Sequence, residues 1–131
     1  MQVSPRFDAS FILFFLSLVL LAVIHYLAIN LSLYWIYPWL DIPIHFLGGA
    51  VVALGTQSSL FKRIFKTSDI SFIKTLLIVL FVGTVWEVFE WRVGIVDSIK
   101  YAFDTGLDIC MDLLGGVIGF VTAKALSHLE Q

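Results

Sequence analysis

Apolar residues dominate four stretches of this chain, and the ionisable ones collect at the ends of those stretches. The first runs from about Phe11 to Ile29 and the second from about Pro43 to Phe61. The third runs from about Ile70 to Glu90, and the fourth from about Thr105 to Leu126. Each approaches the roughly 20 residues a helix needs to cross the hydrocarbon core of a bilayer. The first and third fit on apolarity alone. The second and fourth carry glycine and charge, so they span only with their polar faces buried in a bundle. Lipid cannot satisfy backbone groups, so an open chain crosses it as helices. No barrel-like alternation is visible. The pattern predicts an all-α fold: an integral membrane four-helix bundle, with residues 1–131 forming a single transmembrane domain.

Between the first two stretches, Tyr34-Trp-Ile-Tyr-Pro-Trp39 with Pro38 and Pro43 is too broken for a simple helix. It reads as a re-entrant or interfacial loop. The first stretch is long, continues into aromatics and has no small-x-small cleavage site, so it is expected to stay as a span.

Composition agrees. The chain is 60% hydrophobic and 14% charged, with a mean hydropathy of +0.97. A soluble domain of this size would not carry so much apolar surface. The net charge of −2 offers nucleic acid no electrostatic footing. A single cysteine, Cys110, excludes an intrachain disulfide.

Charge also sets an orientation. The chain has eight Lys and Arg residues. Arg6, Lys62, Arg63, Lys66, Lys74 and Lys124 fall on the N-terminal side of the threading, and Arg92 and Lys100 on the other. The positive-inside rule then puts both termini in the cytoplasm. All four Trp and all four Tyr fall near the opposite, outer side. Aromatic belts usually form at both faces, so some of these rings are candidates to roof a site.

That outer side holds the candidate chemistry. Asp41 and His45 open the second stretch, Glu87 and Glu90 close the third, and Asp104, Asp108 and Asp112 open the fourth. Ionisable groups at membrane depth are costly and are functional candidates by default. Asp112 lies about 10 Å into its helix at 1.5 Å per residue, too deep for so short a side chain to reach water. Residues four apart share a helix face. Asp41 pairs with His45, with Gly48 and Gly55 below. Glu87 and Glu90 share a face with Gly83. Asp104, Asp108 and Asp112 form a drifting stripe continued by Gly115 and Gly119. Glycine lets helices approach closely in lipid. The helices are therefore expected to meet tightly in the cytoplasmic half and to diverge outward into a carboxylate-lined cup.

Six carboxylates cannot all ionise in a partly dry cup without compensation. Some hold protons, some pair with Arg92, Lys100 or His45, or a cation neutralises them. Carboxylate oxygens with an imidazole suit a divalent metal cation such as Mg²⁺, Mn²⁺, Ca²⁺, Fe²⁺ or Zn²⁺. The candidate ligands are Asp41, His45, Glu87, Glu90, Asp104, Asp108 and Asp112, with His45, Glu87 and Glu90 as candidate catalytic groups. The bland alternatives stay open: Asp41 as a helix cap, His25 as a satisfied bundle histidine or a second imidazole, and Arg92 as a lipid-phosphate contact. His128 and Glu130 read as a solvated tail.

The ordered set Asp41-x-x-x-His45-Phe46-x-Gly48-Gly49, Glu87-x-x-Glu90-Trp91 and Asp104-x-x-x-Asp108-x-x-x-Asp112-x-x-Gly115 resembles the YjdF-like family of bacterial inner-membrane proteins. More distantly it is similar to VanZ-like proteins, which usually carry Lys or Arg where this chain has Ile42. The resemblance covers about residues 38 to 120. It implies a four-helix membrane core with a shared polar site, and no particular reaction.

Three functions fit. One is a metal-assisted hydrolase or transferase on a lipid or lipid-linked substrate at the outer leaflet. Another is proton or cation transport through the same acids, which would require a homo-oligomer because the cytoplasmic half carries no matching polar residues. The third is a structural or assembly factor in which the cluster is glue.

Overall fold

A computed structural model describes residues 7–94 and 101–130. Arg6, Asp97 and Lys100 lie outside the described residues. Four long helices follow the four apolar stretches. They are α1 (Ala9–Asn30), α3 (Asp41–Gln57), α5 (Phe72–Val93) and α6 (Tyr101–Leu129), with short helices α2 (Leu33–Ile36) and α4 (Ser59–Ile64) between them. No strand occurs among the described residues, so the all-α class holds. Four helices are long and apolar enough to cross a membrane. Large apolar side chains such as Phe81 and Ile73, each 69% exposed, cover the outside of the bundle. That surface suits lipid and not water.

Two boundaries differ from the sequence reading, both for local reasons. The second span ends at Gln57 and not at Phe61. Ser58 takes an extended backbone (ψ 152°), and its hydroxyl accepts from the Phe61 N–H, starting α4 as a separate helix. The aromatic stretch is not a loop. It forms α2, breaks at Tyr37, and continues as a 3-10 turn over Pro38–Leu40 that runs straight into α3. Pro43 falls in the first turn of α3, where its missing N–H costs nothing.

Helix α3 is the centre of the bundle and packs against α1, α5 and α6. It runs parallel to α6. A Cβ on Gly115 would strike the Phe46 carbonyl, and one on Gly49 the Asp112 carbonyl. One helical turn further along, Gly119 faces Ala50 and Ala53. Backbone therefore rests on backbone along this seam, as only glycine permits. The tight crossing is level with Asp112, not confined to the half beneath it. Helix α5 runs antiparallel to α6. Its buried residues, Thr75, Val79, Gly83, Glu87 and Glu90, form one stripe facing inward. Gly94, in the left-handed region at φ 73°, ends α5, and its N–H donates to the Glu90 carbonyl. Helix α1 is the most peripheral span, with only Ser10 and Ala28 buried.

The end of the bundle opposite the acids is not empty of polar groups. Gln57 and Thr75 are buried there, and the Gln57 Nε2 donates to the Ile70 carbonyl (3.0 Å) and the Thr75 hydroxyl (2.9 Å). These groups are neutral, and they tie the end of α3 to the start of α5. On the same end, Lys124 meets Asp69 at 2.8 Å and holds its carboxyl below the ordinary range. Both are solvent-facing, so the pair adds little stability. Glu130 is exposed, as read from the sequence, and accepts from the Ala9 N–H at 2.8 Å.

Asp8 joins two helix ends. Its carboxylate accepts from the Phe11 N–H (3.0 Å), capping α1, and from the Ser59 N–H (3.0 Å) and hydroxyl (3.1 Å) at the start of α4. A charged acceptor serving several donors is worth about 1–3 kcal/mol. Asp8→Ala is expected to lose that much in detergent unfolding and to loosen α1. Unchanged stability would mean that the latch is idle.

Candidate metal centre

The periodicity of three helices brings the acids together. His45 is in the second turn of α3, one turn below Asp41. The inward stripe of α5 ends in Glu87 and Glu90. On α6, Asp108 and Asp112 face inward one turn apart. His45, Glu87, Glu90, Asp108 and Asp112 are all at most 5% exposed, and Asp41 is partly buried.

His45 is the hub. Its Nδ1 lies 3.3 Å from Asp112 Oδ2. Its Nε2 faces three carboxylate oxygens: Asp41 Oδ1 at 3.7 Å, Glu87 Oε1 at 3.7 Å and Glu90 Oε2 at 3.9 Å. These separations exceed hydrogen-bond range. His45 Nε2, Asp41 Oδ1 and Glu87 Oε1 have no hydrogen-bond partner among the described residues, although each is buried. Two overlapping triads have donor atoms within 4.8 Å of one another: Asp41, His45 and Glu90, and His45, Glu87 and Asp108. Buried polar atoms that converge without bonding each other are unusual enough to require an explanation.

Asp104 stands apart. It is exposed and joins neither triad. Each step of four residues turns about 40° around a helix, so the stripe from Asp112 back to Asp104 rotates out of the bundle. Arg92 lies over the Trp91 ring (5.6 Å) and pairs with no acid among the described residues. Cys110 is exposed.

One contributor has no clear sequence signal. The Thr105 hydroxyl donates to Glu87 Oε2 at 2.7 Å and fixes that carboxylate. Gly83 and Gly48 make room for Asp112, whose Oδ1 lies 3.7 Å from where a Gly48 Cβ would sit. A Cβ on Gly83 would collide with Asp112 Oδ2. That clash is with a side-chain tip and not with backbone. Gly83→Ala is therefore expected to push Asp112 off His45 with near-native melting and altered imidazole nitrogen NMR shifts. Unaltered shifts would show that the contact survives.

Aromatic residues cover one edge. His25 Nδ1 lies 2.6 Å from the Tyr34 hydroxyl, and the His25 ring meets Trp86 edge-on at 5.1 Å. Burial and the carboxylates of Asp41 and Glu90 push the Tyr34 phenol well up, so it remains a hydroxyl able to donate to His25. His25 is thus a satisfied rim histidine. Trp35, Trp39 and Trp91 are exposed, as expected of an interfacial belt.

No curated protein and no solved structure matches the chain. A family model described as "Predicted membrane protein (DUF2238)" matches residues 2–128. This is consistent with the YjdF-like resemblance of the motifs, while the VanZ-like one finds no support. With nearly its whole length covered, the chain belongs to that family of membrane proteins.

Proposed function

We propose that the cluster around His45 binds a divalent metal cation and that the protein uses it to hydrolyse or transfer a group on a lipid-type substrate. The observation that carries this reading is the convergence of three carboxylate oxygens at 3.7–3.9 Å from His45 Nε2, with Nε2, Asp41 Oδ1 and Glu87 Oε1 unpartnered. Protons alone would draw such groups to roughly 2.7–3.2 Å. A shared cation sits between ligand atoms and keeps them farther apart. The metal set is Asp41, His45, Glu87, Glu90 and Asp108, with Asp112 supporting the imidazole from its other nitrogen, as carboxylates do for ligating histidines. Asp104, one turn outward, would serve at the entrance.

A divalent ion bound there would supply Lewis acidity and make water a better nucleophile near neutral pH. Glu87 or Glu90 would accept a proton from water. In this reading both termini are cytoplasmic in the inner membrane, so the site opens toward the outer leaflet.

A structural reading has one observation in its favour. The Glu87–Thr105 and His45–Asp112 contacts brace α3, α5 and α6 together. It leaves the unpartnered Nε2 unexplained. The two separate in a thermal test. A ligand of the native state stabilises by mass action, about 2.7 kcal/mol at 100 times its Kd. Metal-stripped protein is expected to melt lower and to recover on adding one divalent ion. Indifference to every ion tried would leave the structural reading.

A further inference from the structure

A gap in the bundle lies between α1 and α5, with α3 behind it. It holds a cavity of about 400 Å³, within the roughly 300–1,000 Å³ typical of ligand sites. Leu18, Leu21, Val52 and Val82 line its length, while His45 and Asp112 sit at one end. A second cavity of about 290 Å³ continues it toward Phe14 and Phe61, and Val52 and Val82 line both. The result is a groove along the bundle, open sideways, with the acid cluster at one end, apolar walls through its middle, and Thr56 and Ser58 among the lining of the second cavity at the other.

We infer that this groove seats a hydrocarbon chain of a membrane lipid, with the lipid's polar group at His45 and its tail running between α1 and α5 toward the bilayer centre. The polarity supports a lipid over a soluble ligand. The first cavity runs from His45, in the second turn of α3, to the apolar Leu18, Val52 and Val79 deeper in the bundle, the order of a lipid already in that leaflet. His45 is buried and lines this end, and the cation proposed at its Nε2 would be what the polar end offers a headgroup oxygen. His25, Tyr34 and Trp86 cover the top, so the chain enters sideways through the gap. Helix α1 has so few buried residues that little holds this gap shut. The inference deepens the proposed lipid-directed function and rests on it for the identity of the polar group.

The test uses the full chain in nanodiscs containing phosphatidylethanolamine with a diazirine near the end of one acyl chain. After photolysis, labelled residues are mapped by mass spectrometry and metal content is measured on the same sample. Leu21, Val52 and Val82 are expected to label several-fold more than the freely lipid-facing Ile73 and Phe81. Val82→Trp and Leu21→Trp, which fill the groove from opposite walls, are expected to cut groove labelling several-fold and to leave Ile73, Phe81 and metal content unchanged. Groove labelling no greater than at Ile73 and Phe81, or unaffected by both tryptophans, overturns the inference. Labelling that falls when discs hold two copies assigns the groove to a second chain and also overturns it. Labelling that persists in protein without metal supports the chain site while removing the metal reading.

Discussion

Gly115→Val is expected to prevent α6 from docking on α3, leaving little folded protein in detergent. A Cβ at Gly115 meets the Phe46 carbonyl and the Ala50 nitrogen, and both are backbone atoms of a helix that three others pack against. Neither can swing aside as a side chain would. Overpacking a well-fitted core costs about 1–3 kcal/mol even where side chains can adjust, and here whole helices must separate. That separation would also carry Asp108 and Asp112 away from His45. Gly49→Val should behave alike, because its Cβ would strike the Asp112 carbonyl. Gly106 is the control, with nothing near its Cβ, and Gly106→Ala should be neutral or slightly stabilising. Size-exclusion profiles and thermal unfolding in one detergent check the series. A well-folded Gly115→Val protein would show that the α3–α6 seam is looser than described.

His45→Ala is expected to abolish metal binding while keeping the fold. His45 is the only imidazole in either triad and is common to both. Removing a partner that merely orients a ligand typically costs roughly 10–100-fold in affinity, and losing the shared ligand itself should exceed that. Glu87→Gln should weaken binding less, since Glu90 offers a second carboxylate from the same helix turn. Asp104→Asn should leave affinity nearly unchanged, because that residue is exposed and outside both triads. Competition against a fluorescent chelator gives the order. Equal losses for Asp104→Asn and His45→Ala would remove the specific geometry.

The spans and the members of the cluster are legible in the sequence for one reason. In a chain this apolar, a carboxylate deep within a span has to be turned inward, so an Asp or Glu there reports its own helix face. The inward positions of Glu87, Glu90, Asp108 and Asp112 follow from that cost. Depth on the stripe is less legible. Asp104 shares the i, i+4 spacing of its neighbours, yet the helix turns it outward. The sequence also shows several glycines without showing which meet backbone. Gly49 and Gly115 lie against carbonyls, whereas Gly83 clears space for an acid. That distinction depends on the rotation of α3 against α6, which spacing along one helix does not contain. Asp8 and Thr105 are similar cases. Each acts through hydrogen bonds to a helix distant in sequence, and an ordinary Asp or Thr near a helix end carries no mark of it.

The central claim is that the acids around His45 hold a divalent ion. Its most direct test is the metal content of wild-type protein, purified without chelators into nanodiscs and analysed by elemental mass spectrometry beside the double variant His45→Ala, Glu87→Gln. Near-stoichiometric metal in the wild type and none in a folded double variant is the expected result. A well-folded wild type without metal, or metal retained by the double variant, would contradict it.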